Sequence, residues 1–230
     1  MKQVLQAQPL AFLHENVPSF PIGELERILG RDYIVESVQL DPTDCGFPVQ
    51  RKRQYALAVH RSCMKFSGLS RFVSDSCDLL GRLNLVLDDF LLDSCPMSKA
   101  DIQLSLAKTQ KNWVRYYLKK FSNSCVIDLT QNPEKRPRKG ITKMPTLTTS
   151  CSKMLHVQSG RFFVGMELAL LHGMPVTDST AKQLRVNTFN VNVDTVSNVA
   201  LCARVGNSMH CASVGMVLAA VLTCLRPHEK

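Results

Sequence analysis

Three short stretches of the sequence carry residue types and spacings suited to chemistry. A carboxylate and an amide, Glu15 and Asn16, end the apolar run "AFLHENV" just before Pro18. Ligands of open α/β sheets collect at the carboxyl ends of strands, so an acid there is placed to face a pocket; a helix cap or a surface turn uses the same pair. Arg51 and Arg53, in "GFPVQRKRQY", enter a strand two residues apart and so point to the same side. Two guanidiniums on one face can clamp a phosphate or a base carbonyl through forked hydrogen bonds, or line a solvated basic edge. Gly206, Asn207 and Ser208, in "RVGNSMH", precede the last helix. Free backbone N–H groups and a capping side chain there either cradle a polar ligand or cap the helix.

These residues need elements to hold them. Residues 9–17 form a brief apolar run suited to a covered strand of a parallel sheet. "PIGELERILG" reads as a helix with Ile22, Leu25, Ile28 and Leu29 on one face and Gly30 as its stop. "YIVESVQL" alternates as a strand does, "DPTDCGFP" is a turn-rich loop, and "QYALAVHR" is a further strand. This order suggests part of an open α/β sheet. From Ser62 to about Gly140 acidic-apolar stretches alternate with a basic, aromatic helix, "KTQKNWVRYYLKKF". Its Lys108, Lys111, Arg115, Lys119 and Lys120 recur at helical spacing, with Trp113, Tyr116 and Tyr117 between them. Either the cations meet phosphates, or the aromatics form a core stripe and the lysines solvate the other face. "EKRPRKG" reads as a flexible basic loop. The terminal "ASVGMVLAAVLTCL" is short for a membrane span and reads as a buried helix.

At 230 residues and 45% hydrophobic content, the chain is long enough to bury a core, and 20% charge argues against wholesale disorder. A net charge of +9 and a pI near 9.2 favour a polyanionic partner, nucleic acid first. The nine cysteines make no Cys-x-x-Cys pair, so reduced thiols in the cytosol or nucleus are the simpler reading than a disulfide framework or structural zinc. The N-terminus lacks the pattern of a signal peptide.

Taken in order, the stretches resemble the C-terminal half of the DNA (cytosine-5)-methyltransferase family. Glu15, Asn16 and Val17 match the family's Glu-Asn-Val motif. Gly46, Pro48, Arg51 and Arg53 match its Gly-x-Pro turn and Gln-x-Arg-x-Arg pattern, with Val49 at the Gln position. Arg161, Glu167, Gly173 and Pro175 correspond to its ninth motif, and Gly206 and Asn207 to its tenth. The resemblance implies an α/β fold: a partial S-adenosylmethionine-dependent methyltransferase (Rossmann-like) sheet with an inserted target-recognition subdomain. It places a partial catalytic domain at 1–61, the target-recognition region at 62–145, and a return to the catalytic domain at 146–230. It implies that Glu15 contacts a flipped cytosine and that Arg53 and Arg51 contact the base carbonyl and neighbouring phosphate. Asn207, Ser208 and Asn16 would border the S-adenosyl-L-methionine pocket, and Lys111, Arg115, Lys119 and Arg161 would meet DNA. The implied partners are DNA and a complementary N-terminal half, with no membrane, in a nucleus or in a nucleoid or cytoplasm.

The family's glycine-rich donor turn, Phe-x-Gly-x-Gly, and its Pro-Cys nucleophile do not occur in the sequence. "SCP" at Cys95 is the reverse order, and Cys45, in "TDCGFP", lies near the expected pocket but reads as a small loop residue rather than a replacement nucleophile. The expectation is a partial enzyme that transfers methyl groups only when complemented, with an inactive DNA-binding or regulatory remnant of the family as the alternative.

Overall fold

The computed structural model describes residues 2–62, 64–66, 68–80, 83–93, 103, 105–188 and 196–227. The chain divides into two compact units. Met1–Gly46, Lys52–Leu83 and Ala212–Lys230 form the first, and Phe47–Arg51 with Asn84–Cys211 the second. The expected boundary at residue 145 falls inside the second unit.

In the first unit a helix α1 (Lys2–Ala7) leads into strand β1 (Ala11–Asn16), helix α2 (Ile22–Leu29) and strand β2 (Tyr33–Leu40). A 3-10 turn (Pro42–Cys45) follows, and strand β3 (Arg53–His60) completes a sheet of order β1-β3-β2. β3 is antiparallel to both neighbours, Glu15 pairing with Tyr55 and Leu40 with Arg53. β1 and β2 therefore run in one direction with a reversed strand between them, a correction to the parallel sheet expected of residues 9–17. A continuous apolar run tells that a strand is covered, not which way its neighbour runs.

Alternation along the strands sorts the two faces. Tyr33 and Val35 on β2, with Ala56 and Ala58 on β3, pack with Leu25 and Leu29 of α2 and the partly buried Phe12 of β1. α2 forms as its pattern predicts, although Ile28 is exposed. On the other face Glu36 of β2 accepts the Leu69 backbone N–H at 3.0 Å, fixing the start of helix α3 (Leu69–Leu80). Glu15 shares this second face with Tyr55 and Arg53. The 3-10 turn is tied by a reciprocal cap: Asp41 accepts from Thr43 N and Asp44 accepts from Asp41 N. It ends on Gly46 at φ 80°, a left-handed position that glycine occupies without strain.

Strand β4 (Met64–Phe66) also belongs to this unit. The second unit holds helix α4 (Lys108–Lys120) and a four-stranded antiparallel sheet of order β6-β5-β7-β8. Its strands are β5 (Val126–Asp128), β6 (Lys139–Gly140), β7 (Met154–His156) and β8 (Arg161–Phe162). Helices α5 (Gly165–Leu171), α6 (Asp178–Leu184) and α7 (Asn198–Gly206) follow. One core gathers Val49, Met144, Phe163, Leu168 and Val205, and another gathers Leu106, Tyr117, Ile127 and Leu155. Val49, at the expected Gln position, is fully buried and its backbone bridges to Met144.

The last helix, α8 (Cys211–Cys224), buries Ser213, Met216, Val217 and Ala220, while Leu222 is 85% exposed. One face is buried rather than the whole helix, because apolar residues surround the axis and only part of them meets the unit. Asn198–Cys224 is long and apolar enough to cross a membrane by length and composition alone, a test that core helices also pass. Residues 207–210, between α7 and α8, are not α-helical.

Candidate functional site: an acid–guanidinium pair and a basic helix

The sheet register brings Glu15 and Arg53 together. Glu15 lies opposite Tyr55, and Arg53, two residues from Tyr55, shares its face, so the two form a diagonal cross-strand pair. Arg53 Nε is 3.3 Å from Glu15 Oε1, and both side chains are largely shielded, at 18% and 13% exposure. The contact is close in distance but lacks hydrogen-bond alignment: Glu15 Oε1 is buried without a hydrogen-bond partner. Arg53 Nη1 donates to the Lys52 carbonyl at 2.8 Å. Asn16 turns its own side-chain oxygen onto Val17 N, at 2.8 Å, which ends the strand. β1 stands at the edge of its sheet, and its outer side has no strand partner among the described residues.

Arg51 belongs to the second unit and is only 5% exposed. Its Nη1 donates to the carbonyls of Leu147 and Gly206, each at 3.3 Å, which braces the turn after α7. Gly206 is required there by space, since a Cβ would lie 2.0 Å from the Thr148 carbonyl oxygen. Asn207 caps α7 and is exposed. Ser208 Oγ donates to the Val205 carbonyl at 2.8 Å and lies 3.0 Å from His172 Nδ1. The serine proton is committed to Val205, so His172 Nδ1 carries the proton in that contact. His210 Nε2 donates to the Leu171 carbonyl, and its imidazole is pushed down to about 4 by burial, with the Arg51 charge adding to the effect.

Arg161 and Glu167 meet as a fork. Nη2–Oε1 is 2.6 Å and Nη1–Oε2 is 2.9 Å, and Glu167 is fully buried. The carboxylate also accepts Val164 N at 3.0 Å and Leu92 N at 2.8 Å. This pair holds the start of α5, so the guanidinium expected at DNA is occupied by a buried acid. Lys111, Arg115 and Lys119 project at i, i+4 and i+8 from the solvent side of α4, all three exposed. The opposite side buries Tyr117 and packs Trp113, so the aromatic stripe and the cationic stripe coexist on one helix. Tyr117 OH accepts Arg138 N at 2.9 Å, and Arg138 in turn pairs at 2.7 Å with the buried Asp128.

One cluster has no counterpart among the expected sites. His156 Nε2 lies 3.2 Å from Asp88 Oδ1 and 3.5 Å from Cys125 Sγ, and its Nδ1 is 2.8 Å from Ser159 Oγ. Burial outweighs Asp88 and lowers the imidazole below its usual range, which favours the neutral ring and weakens the contact as an ion pair. No short sequence signal joins residues 88, 125 and 156.

None of the thiols with a resolved shift is activated. Burial pushes Cys45 and Cys202 up to about 12 and Cys151 to about 11, and raises Cys77, Cys125 and Cys211. A nucleophilic cysteine needs the opposite shift. Cys95 lies outside the described residues. Among the described residues no group of three or more His, Cys, Asp or Glu is placed to hold a metal ion.

No protein-family model matches the sequence. No curated protein matches it by sequence. Solved structures do match. A Dnmt2 methyltransferase of S. pombe superposes with a TM-score of 0.62 at 16% identity, covering 94% of this chain and 67% of that one. The likeness is one of fold: an α/β, Rossmann-like, methyltransferase-type arrangement. The Entamoeba histolytica methyltransferase EhMeth matches with a TM-score of 0.56 at 15% identity, over 94% of this chain and 63% of its own. A candidate DNA modification methyltransferase encoded within an E. coli prophage matches at 0.50 and 15% identity, over 96% and 71%. This chain thus spans about two-thirds of the length of the methyltransferase-fold proteins it matches.

Proposed function

We propose that the chain is the base-recognising and DNA-recognising portion of a DNA (cytosine-5)-methyltransferase. It acts with a segment that supplies the glycine-rich donor turn and the Pro-Cys nucleophile. The observation that carries this reading is the Glu15–Arg53 pair at the carboxyl end of β1, in a chain whose fold matches methyltransferases over 94% of its length. A shielded carboxyl oxygen without a hydrogen-bond partner is open to one, and a proton shared with a base nitrogen would supply it. Glu15 contacts N3 of the flipped cytosine, and Arg53 contacts the base carbonyl. Arg51 acts at one remove, bracing the Gly206 turn that presents Asn207 and Ser208 to S-adenosyl-L-methionine, with Asn16 closing the strand end. Lys111, Arg115 and Lys119 contact phosphates, and Arg161 holds the start of α5. The complementing segment adds its strand along the open edge of β1, where unpaired backbone groups are available. The location that follows is wherever the DNA is, a nucleus or a nucleoid.

The upward-shifted thiols favour a second reading, an inactive DNA-binding remnant. Two measurements separate the readings. Duplex DNA should bind the chain with strong salt dependence under both. Labelled S-adenosyl-L-methionine should yield methylated DNA only when the N-terminal half of a matching methyltransferase is added. Transfer by the chain alone would overturn both readings.

A further inference from the structure

Three sulfur atoms converge in the first unit, and the proposed methyl transfer uses none of them. Cys45 closes the 3-10 turn, Cys77 sits near the end of α3, and Met216 lies on the buried face of α8. Cys77 Sγ is 3.7 Å from Met216 Sδ, and the Cys45 and Cys77 thiols lie close enough to influence each other's ionisation. The Ser213 hydroxyl, three residues before Met216, hydrogen-bonds the Cys45 sulfur. Cys45 is fully buried, whereas Cys77 lines an open cavity of about 430 Å³ whose walls include Asp44 and Asp78.

We propose that Cys45, Cys77 and Met216 form a three-coordinate site for a soft monovalent cation, Cu(I), entered from the cavity beside Cys77. Two thiols and a thioether, with no imidazole or carboxylate among them, are the donor set that selects Cu(I) over zinc, which takes four ligands in a structural site. Metal–sulfur bonds of about 2.3 Å place the sulfurs of a trigonal site about 4 Å apart, close to the 3.7 Å between Cys77 and Met216. On binding, each thiol forms a sulfur–copper bond and releases its proton to solvent. The thioether donates a lone pair and loses nothing. Copper stays monovalent, and the site carries one net negative charge. The Ser213 hydroxyl supports the Cys45 thiolate that results. Asp44 and Asp78 raise the local concentration of cations at the mouth. The ion joins the 3-10 turn, α3 and α8, so its binding stabilises the first unit. The site is independent of the methyltransferase reading and stands or falls without it.

The test is an anaerobic Cu(I) titration of the reduced full chain against a chromogenic Cu(I) chelator. The variants are Cys45→Ser, Cys77→Ser and Met216→Leu, with the exposed Cys211→Ser as control. Circular dichroism checks that each is folded. Wild type and Cys211→Ser should withdraw one ion per chain that Cys77→Ser and Cys45→Ser do not. Met216→Leu, which keeps side-chain volume, should still bind but more weakly, by at least the roughly tenfold that loss of an outer-shell partner costs. Equal uptake by Cys77→Ser and wild type overturns the site. So does an equal loss in Cys211→Ser, which would mean indiscriminate thiol binding. Unchanged affinity in Met216→Leu overturns the three-sulfur geometry.

Discussion

Each unit contains a guanidinium–carboxylate contact, and the two are built differently. In Arg161–Glu167 the fork is bidentate, the carboxylate is fully buried, and two backbone N–H groups complete its hydrogen bonds. In Glu15–Arg53 the closest approach is 3.3 Å, and the facing oxygen makes no hydrogen bond. The first pair is finished: both carboxylate oxygens are bonded to the guanidinium and to backbone N–H groups of the same unit. The second is shielded but incomplete, at the end of an edge strand. A satisfied buried charge pair belongs to the architecture, and an unsatisfied one is where a ligand gains most.

Substitutions break or sharpen that contrast, the largest effect first. Glu167→Gln leaves the Arg161 charge without its partner and should cost about 3–5 kcal/mol in urea unfolding. Acid should act next. His210 is neutral when folded and its imidazole is pushed down from 6.5 to about 4, so between those values only the unfolded state takes up a proton. Stability is therefore complete above about pH 6.5 and falls as pH drops towards about 4, and His210→Gln should remove much of that slope in pH-dependent melting. Gly206→Ala drives a Cβ into the Thr148 carbonyl and should cost about 1–3 kcal/mol, seen as a lower Tm. Glu15→Gln should change stability by less than about 1 kcal/mol, because the shielded pair is unaligned and its facing oxygen has no hydrogen bond to lose. Replacing Lys111, Arg115 and Lys119 together by Gln should leave stability within about 0.5 kcal/mol. The same triple change should lower the salt slope of DNA binding by about 0.9 per cation removed.

How much of this was legible in the sequence depended on whether the signal was local. α2 and β2 follow directly from periodicity, since the buried Leu25 and Leu29 of α2 lie one turn apart and Tyr33 and Val35 of β2 share the face packed on them. The reversed direction of β3 was not legible, because alternation carries no information on polarity. The Glu15–Arg53 pairing needed the register of β1 on β3, although each residue was already marked by its place beside a turn. Gly206 was read as a ligand cradle, and the structure adds a packing reason: the Thr148 backbone leaves no room for a side chain. Arg161 was read towards DNA, yet a Glu three residues after the helix cap at Val164 is a capping signal that could have pointed inward. The sulfur cluster at 45, 77 and 216 had no signal at all, since its members come from three distant elements.

The most direct test is methyl transfer by the chain complemented with an N-terminal methyltransferase half, comparing wild type with Glu15→Gln. The predicted result is transfer that falls by at least about 100-fold in Glu15→Gln, with duplex binding and unfolding free energy nearly unchanged. Full transfer by Glu15→Gln, or a loss matched by equal loss of stability, would contradict the assignment of Glu15 to the chemistry.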